Sequence, residues 1–583
     1  MLALGVLVVP VTATAAVGDV GVQGLSHSGT GTPTGTKRQT NALWFNDGIW
    51  WGNLWDTATS DFHIFRFNAA TSSWVDTGVT TETRANTHHD VLWDGSTLYV
   101  ASYRFVNDGL PAEPNFPSTM RRYSYNASTK TYSRLGSSSD INNHKVETLS
   151  IDKDSTGRVW ATWQQGNRIY LNVTGTDGAT WGTPFPHPAS LGNVSVDDTS
   201  ALIAFGPGKV GVMWSRQVGD ATDGMYWSSH VDGGANTSWT TPVAAVKGLR
   251  SGDDHMNLKW LDASTGRVFA AIKTSFTSAS QPLIQLLAFN GTAWSAHTIA
   301  TVAECPNRVI VMIDESTQRL RTFATYPKPS GTTNAGVCTS SGGAIYEKST
   351  PLDSISFTTA KTARVVDADQ YVHNVTSTKQ NLNSTAWGTA NSGLLVLADV
   401  NATSRYWHYY DPSGGAGGGG GGTTETVTLT ATADSYVSSG TAGANFGTST
   451  TMRVDNSPVE ATYLKFDLSP YAGRTLSGAT LQLRSGGNGS AGTQNVKLVA
   501  TDSWTESGIT FSNRPALGTS IGSLGPTATN TSYSVSLTAG AVTGELGQQL
   551  SLGLDSGSSD GLELNSKEAG STAAPKLVLT LQK

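Results

Sequence analysis

Asp154-Ser155-Thr156-Gly157-Arg158-Val159-Trp160-Ala161 decides the fold of the N-terminal part. A short polar turn around a glycine runs directly into a brief apolar strand, and the unit recurs. Copies stand at Asn46-Asp47-Gly48-Ile49-Trp50-Trp51, at Asp94-Gly95-Ser96-Thr97-Leu98-Tyr99-Val100-Ala101 and at Gly206-Pro207-Gly208-Lys209-Val210-Gly211-Val212. Others are Asp262-Ala263-Ser264-Thr265-Gly266-Arg267-Val268-Phe269-Ala270, Asp314-Glu315-Ser316-Thr317-Gln318-Arg319-Leu320 and, weakest, Asn391-Ser392-Gly393-Leu394-Leu395-Val396. Anchored on Gly48, Gly95, Gly157, Gly208, Gly266, Gln318 and Gly393, the mean spacing is about 58 residues, the length of a four-stranded propeller blade with long loops. Seven copies predict a seven-bladed β-propeller; six or eight blades also fit, because the last copy is poor.

A second repeat supports the first. Turns built on Asn68, Asn126, Asp177, Asp232 and Asn290 precede Trp74, Tyr132, Trp181, Trp239 and Trp294. The short polar side chain makes the turn, and the aromatic is expected to seal the space between blades. Composition agrees. Of 583 residues 64 are Gly and 17 are Trp, while only 14% are charged, which suits short strands and tight turns rather than helices. The formal net charge of −6 and the lack of a basic cluster exclude nucleic acid as a partner.

Three features set the organisation. Residues 1–16 read as a signal peptide: Leu2 to Val11 is apolar and Ala13-Thr14-Ala15 is a small-residue cleavage pattern. The positively charged start is missing, so the start codon is expected upstream, and a secreted, extracellular protein follows. Residues 412–424 carry Gly417 to Gly422 and read as a flexible Gly-rich linker between a propeller at 17–411 and a module at 425–583. Cys305 and Cys338 are expected to pair as a disulfide bond in an oxidising compartment. No later apolar run is long enough to span a bilayer, and a monomer is expected.

Two of the turns resemble degenerate Asp-boxes, so the N-terminal part is similar in general style to BNR and sialidase-like propellers. That motif is structural, and the arginine triad and Tyr–Glu nucleophile of sialidases have no counterpart motif here. The C-terminal resemblance is sharper. Asp434-Ser435-Tyr436-Val437, Asn445-Phe446-Gly447, Tyr463-Leu464-Lys465-Phe466-Asp467-Leu468 and Ala479-Thr480-Leu481-Gln482-Leu483 follow in order. Then come Trp504-Thr505-Glu506-Ser507-Gly508-Ile509-Thr510-Phe511, Asn513-Arg514-Pro515, Ser566-Lys567-Glu568 and Pro575-Lys576-Leu577-Val578-Leu579. The set resembles the DNRLRE domain, a carbohydrate-binding module of family ninety-six. The resemblance implies a jelly-roll-like β-sandwich that attaches to an acidic polysaccharide or a matrix. The alternating apolar strands argue for a sandwich on their own.

Chemistry is expected where the innermost strands of the blades begin, since those residues converge on one face of the ring. The segments are Lys37-Arg38-Gln39, then Arg84, Asn86, His88, His89 and Asp90, then Asn142, Asn143, His144, Lys145 and Glu147. Asp197 and Asp198, Asp253 to Lys259, Asn307 and Arg308, and Asp369 to Asn374 complete the set. In the run from Asp254, strand alternation puts His255, Asn257 and Lys259 on one face and Met256, Leu258 and Trp260 on the other. Candidate catalytic residues are His144, His255 and His88 as bases, with Arg308 and Lys259 as cations. Candidate substrate contacts are Arg84, His89, Asp90, Lys145, Asp198, Asp254, Asn257 and His373, with Lys465 and Lys567 in the module. Such a set suits β-elimination from a uronic-acid polysaccharide. Hydrolysis by paired carboxylates among Asp90, Glu147, Asp198 and Asp254 is the alternative chemistry. A non-catalytic, lectin-like or cell-wall-binding protein is the alternative class. No spacing is diagnostic of a cofactor, but His with Asp or Glu can hold a divalent cation such as calcium. The bland reading of His255 and Asp254 is that they cap blade contacts, and that of Trp504 is a core filler.

Overall fold

The protein is seen in a computed structural model describing residues 18–33, 41–106, 109–188, 194–261, 266–339, 342–412, 424–474 and 476–582. The expected signal segment, Lys37 to Gln39 and residues 413–423 of the expected linker lie outside them. Two compact units divide the chain, Met1–Gly419 and Gly420–Lys583.

The first unit is an all-β propeller. Seven sheets are described, each an antiparallel meander of at least four strands. Their innermost strands are Leu43–Asn46, Thr87–Trp93, Ser150–Lys153, Ser200–Phe205, Met256–Trp260, Asn307–Asp314 and His373–Thr376. The last blade closes the ring across the termini: Val22–Ser26 pairs with Arg405–Asp411. Joining the first and last chain segments in one sheet removes a free edge.

Why the repeat makes blades is visible in its turns. Asp154 Oδ1 accepts the N–H of Thr156 at 2.9 Å and of Arg158 at 3.0 Å, while Oδ2 accepts the indole N–H of Trp160 at 2.8 Å. Asn126, Asp177 and Asn290 hold their turns in the same way, each accepting the two N–H groups that follow. The aromatics of the second repeat reach the preceding blade. Tyr132 meets Trp51 edge-on at 5.0 Å, Trp239 meets Trp160 at 5.8 Å and Trp294 meets Trp227 at 5.4 Å. These contacts bury large apolar surfaces between blades rather than within one sheet.

Around the channel, side chains of one inner strand bond the backbone of the next. Asp90 Oδ2 accepts Ile151 N at 2.8 Å, Ser150 Oγ accepts Leu202 N at 3.1 Å and Asn257 Oδ1 accepts Val311 N at 3.0 Å. One end of the channel is crossed by residues 377–393, between the first two strands of the last blade. Gln380 brackets Phe45, its Oε1 accepting from N at 2.8 Å and its Nε2 donating to O at 3.0 Å. Asn381 donates to Trp260 O at 3.1 Å, and Lys379 Nζ lies 2.8 Å from Asp90 Oδ2. This crossing lengthens the last interval of the repeat.

The second unit is a β-sandwich. A four-stranded sheet runs Thr424–Thr430, Lys576–Gln582, Leu476–Arg484, Ser532–Leu537. It faces a seven-stranded sheet centred on Val459–Asp467 and Gln549–Ser556. Leu464, Phe466, Leu481, Leu552, Leu554, Leu577 and Leu579 fill the core between them. Among the described residues no helix is long and apolar enough to cross a membrane.

Candidate functional site

The inner strands all start at one end of the ring, and a cavity of about 560 Å³ opens there over blades four to six. His255 lines it. Its Nδ1 is 2.7 Å from Asp253 Oδ1 and also pairs with Asp254, whereas Nε2 is buried with no hydrogen-bond partner. Two carboxylates on Nδ1 orient the ring and favour the tautomer with its proton there. Burial lowers the His255 pKa despite Asp254 and Asp253, which favours the neutral imidazole. Lys273, returning on the second strand of the blade, pairs with Asp253.

Asp197, Arg308 and the Cys305–Cys338 disulfide line the same cavity. The disulfide spans 33 residues with a Cα–Cα distance of 5.6 Å. It ties the segment before the sixth inner strand to the loop that follows that blade's second strand. Arg308 holds φ at 51°, a left-handed conformation that costs a non-glycine residue and persists where neighbours over-determine it. Glu147, Asp197 and Asp254, from three successive blades, bring carboxylate oxygens within 4.8 Å of one another. These three, or Asp253, Asp254 and His255, could hold a divalent cation such as calcium.

Other expected site residues have different surroundings. His144 and Lys145 are expected at the start of an innermost strand; they lie instead on Ser139–Lys145, the outer strand of blade two. There the strand Glu113–Asn126 runs past its last pairing with blade two's second strand, at Ser102–Thr119. His144 pairs with Pro114 in that extension. The hairpin therefore rises beside the mouth, with Lys145 Nζ 2.6 Å from Glu113 and 4.2 Å over Phe116. Burial lowers the pKa of His144 as well. His88 and His89 point to opposite faces of their strand. His88 stacks on Phe105 at 4.6 Å, and His89 packs on Phe62 at 4.2 Å, where burial brings its pKa down to about 3.

Four expected substrate contacts are taken up by the fold. Asp90 is fully buried, accepting from Asn41 and Ile151 and paired with the Lys379 ammonium, and burial pushes its carboxyl up. Asn257 joins blades five and six. Asp198 accepts from Ser195 N at 2.6 Å and Ser215 Oγ at 2.8 Å and closes a turn. Arg84 forks onto Glu82 at 2.8 Å and donates to Pro117 O. Lys259 is buried in the channel, where burial and the charge of Lys379 bring it down to about 7. His373 opens the last inner strand opposite Asp399 and does not line the cavity.

In the sandwich, Lys465 donates to Asp502 O at 2.8 Å and Trp504 O at 2.6 Å, and covers the Trp504 ring at 4.5 Å. Trp504 is buried, with its indole N–H on Ser551 Oγ at 3.0 Å, as a core filler would be. Lys567 pairs with Glu506 at 2.9 Å and with Glu568. Lys273 and Lys379 escaped the sequence reading because both lie away from the starts of inner strands. The strand after each inner strand returns to the mouth, and that alternation was the available signal for Lys273.

Residues 425–581 match the model of carbohydrate-binding module family 96, the family the C-terminal motifs resemble. No curated protein matches the chain. Solved structures match it at low identity and low TM-score. An exo-beta-1,3-galactanase from Phanerochaete chrysosporium with galactose is 12% identical at a TM-score of 0.29, covering 87% of this chain and 98% of that one. An alpha-L-arabinanase from Penicillium chrysogenum complexed with arabinobiose is 10% identical at 0.34, covering 57% and 99%. A chain of a mitotic checkpoint complex is 10% identical at 0.39, covering 70% and 99%. Likenesses this distant carry no argument about activity.

Proposed function

We propose that the protein is a secreted, monomeric enzyme that cleaves an acidic polysaccharide by β-elimination at the propeller mouth, while the C-terminal module holds the substrate. The observation that carries this reading is His255: favoured in its neutral form by burial, oriented by Asp253 and Asp254 through Nδ1, with Nε2 free of protein partners in a cavity that also holds Arg308. Nε2 takes the proton from the carbon beside a uronic carboxylate, whose charge Arg308 offsets. A carbon–carbon double bond forms, the neighbouring glycosidic C–O bond breaks, and the leaving oxygen takes a proton. The disulfide supports an oxidising compartment.

Hydrolysis is the second reading, favoured by the close carboxylates of Glu147, Asp197 and Asp254. A retaining pair stands about 5 Å apart. One assay separates the two. Full-length protein is incubated with uronic-acid polysaccharides, and both ultraviolet absorbance of an unsaturated product and released reducing ends are followed. Absorbance that disappears in His255→Ala and Arg308→Ala supports elimination. Reducing ends without absorbance refute it in favour of hydrolysis, and neither signal refutes catalysis in favour of a binding protein.

A further inference from the structure

The opposite end of the ring holds a second cavity, of about 500 Å³. It lies where the inner strands of blades two to five finish, beside the crossing segment 377–393. Trp260 and Trp387 line it, their rings edge to face at 6.1 Å, and neither is fully buried. Polar groups with unmet needs stand around this aromatic wall. The indole N–H of Trp387 is buried with no hydrogen-bond partner. Asp232 accepts from Ser155 N and Oγ through Oδ2, while its Oδ1 is buried without a donor. Lys209 has no carboxylate partner among the described residues, and its ammonium lies 5.9 Å from the Phe205 ring.

Buried polar atoms without partners are uncommon, and two of them on one cavity call for an explanation. The volume falls within the range of small-molecule sites, and indoles beside a few polar groups are the usual lining of such sites. A sugar ring meets this combination: its C–H face covers an indole, and its hydroxyls accept from Trp387 and Lys209 and donate to Asp232. We propose that the far-end cavity binds a saccharide unit, as a carbohydrate site separate from the mouth. The inference is independent of the chemistry proposed there.

The test is fluorine NMR of the full chain labelled with 5-fluorotryptophan, titrated with xylo-oligosaccharides and with oligogalacturonates. The Trp260 and Trp387 resonances are assigned by Trp260→Phe and Trp387→Phe, and if one variant does not fold, the resonance assigned by the other alone decides the test. Both resonances should move with dose for at least one sugar. Lys209→Met, at a partly exposed position, should weaken that response about tenfold while leaving the Trp504 response unchanged. Resonances unmoved by both sugars, or moved equally in Lys209→Met, overturn the proposal. Shifts confined to other tryptophans do the same.

Discussion

Asp90 offers the sharpest separation of a structural role from a functional one. Its carboxylate is fully buried and makes bonds on three sides: to Asn41 of blade one, to Ile151 of blade three and to Lys379 of the crossing segment. In Asp90→Ala a buried ammonium loses its counter-ion, worth about 3–5 kcal/mol. Each N–H left without an acceptor costs a further ~1–3 kcal/mol. Against a typical total stability of about 5–15 kcal/mol, that variant should be close to unfolded. Asp90→Asn keeps one acceptor oxygen and removes the charge, so it should lose about 3 kcal/mol. Adding Lys379→Met should recover most of that, because exchanging a whole buried ion pair for neutral groups is often nearly free. Urea denaturation followed by tryptophan fluorescence reads the propeller selectively, since all of the 17 tryptophans except Trp504 precede residue 412. The reasoning is refuted if Asp90→Asn costs under about 1 kcal/mol, or if the double variant is no more stable than the single one. An Asp90→Asn protein of full stability that loses polysaccharide turnover would make Asp90 a sugar contact instead.

Further expectations follow from the same contacts. Cys305→Ser with Cys338→Ser should lower propeller stability by about 3–4 kcal/mol, from the entropy of a loop spanning 33 residues, measured by the same denaturation. Glu82 is fully buried; burial alone would raise its pKa, but hydrogen bonding to Arg84 and the charge of Arg121 bring it from 4.5 to about 2. A depressed carboxylate stabilises the fold fully above its unfolded pKa, so this contribution should fade as pH falls from about 5 towards 2 and be absent in Glu82→Gln. His255→Ala should cut product formation by at least about 100-fold while binding of the same polysaccharide by the full chain persists; equal loss of both would contradict a role as base. Trp504→Ala should destabilise the sandwich by about 3–5 kcal/mol, read by circular dichroism, without shifting the propeller transition.

Whatever rests on short-range geometry is legible in the chain alone. An Asp or Asn that bonds the N–H groups just after it makes a turn wherever it occurs, so Asp154, Asn126 and Asn290 announced blades before any tertiary contact was known. Strand alternation and an ordered run of motifs announced the sandwich, and Trp504 read correctly as a core filler. The tertiary structure decided what depends on ring closure and register. His144 follows the second blade's polar turns but extends an outer hairpin, a matter of which strand Glu113–Asn126 pairs with. Asp90 and His255 look alike as polar residues at inner strands. Only the packing of adjacent blades makes one a buried link to Ile151 and Lys379 and leaves the other with a free ring nitrogen in a cavity. Glu147, Asp197, Asp254 and Arg308 lie on four blades. Their meeting depends on the angle between sheets, which no local pattern encodes, although the second repeat does mark the aromatics that pack there, such as Tyr132 on Trp51 and Trp239 on Trp160.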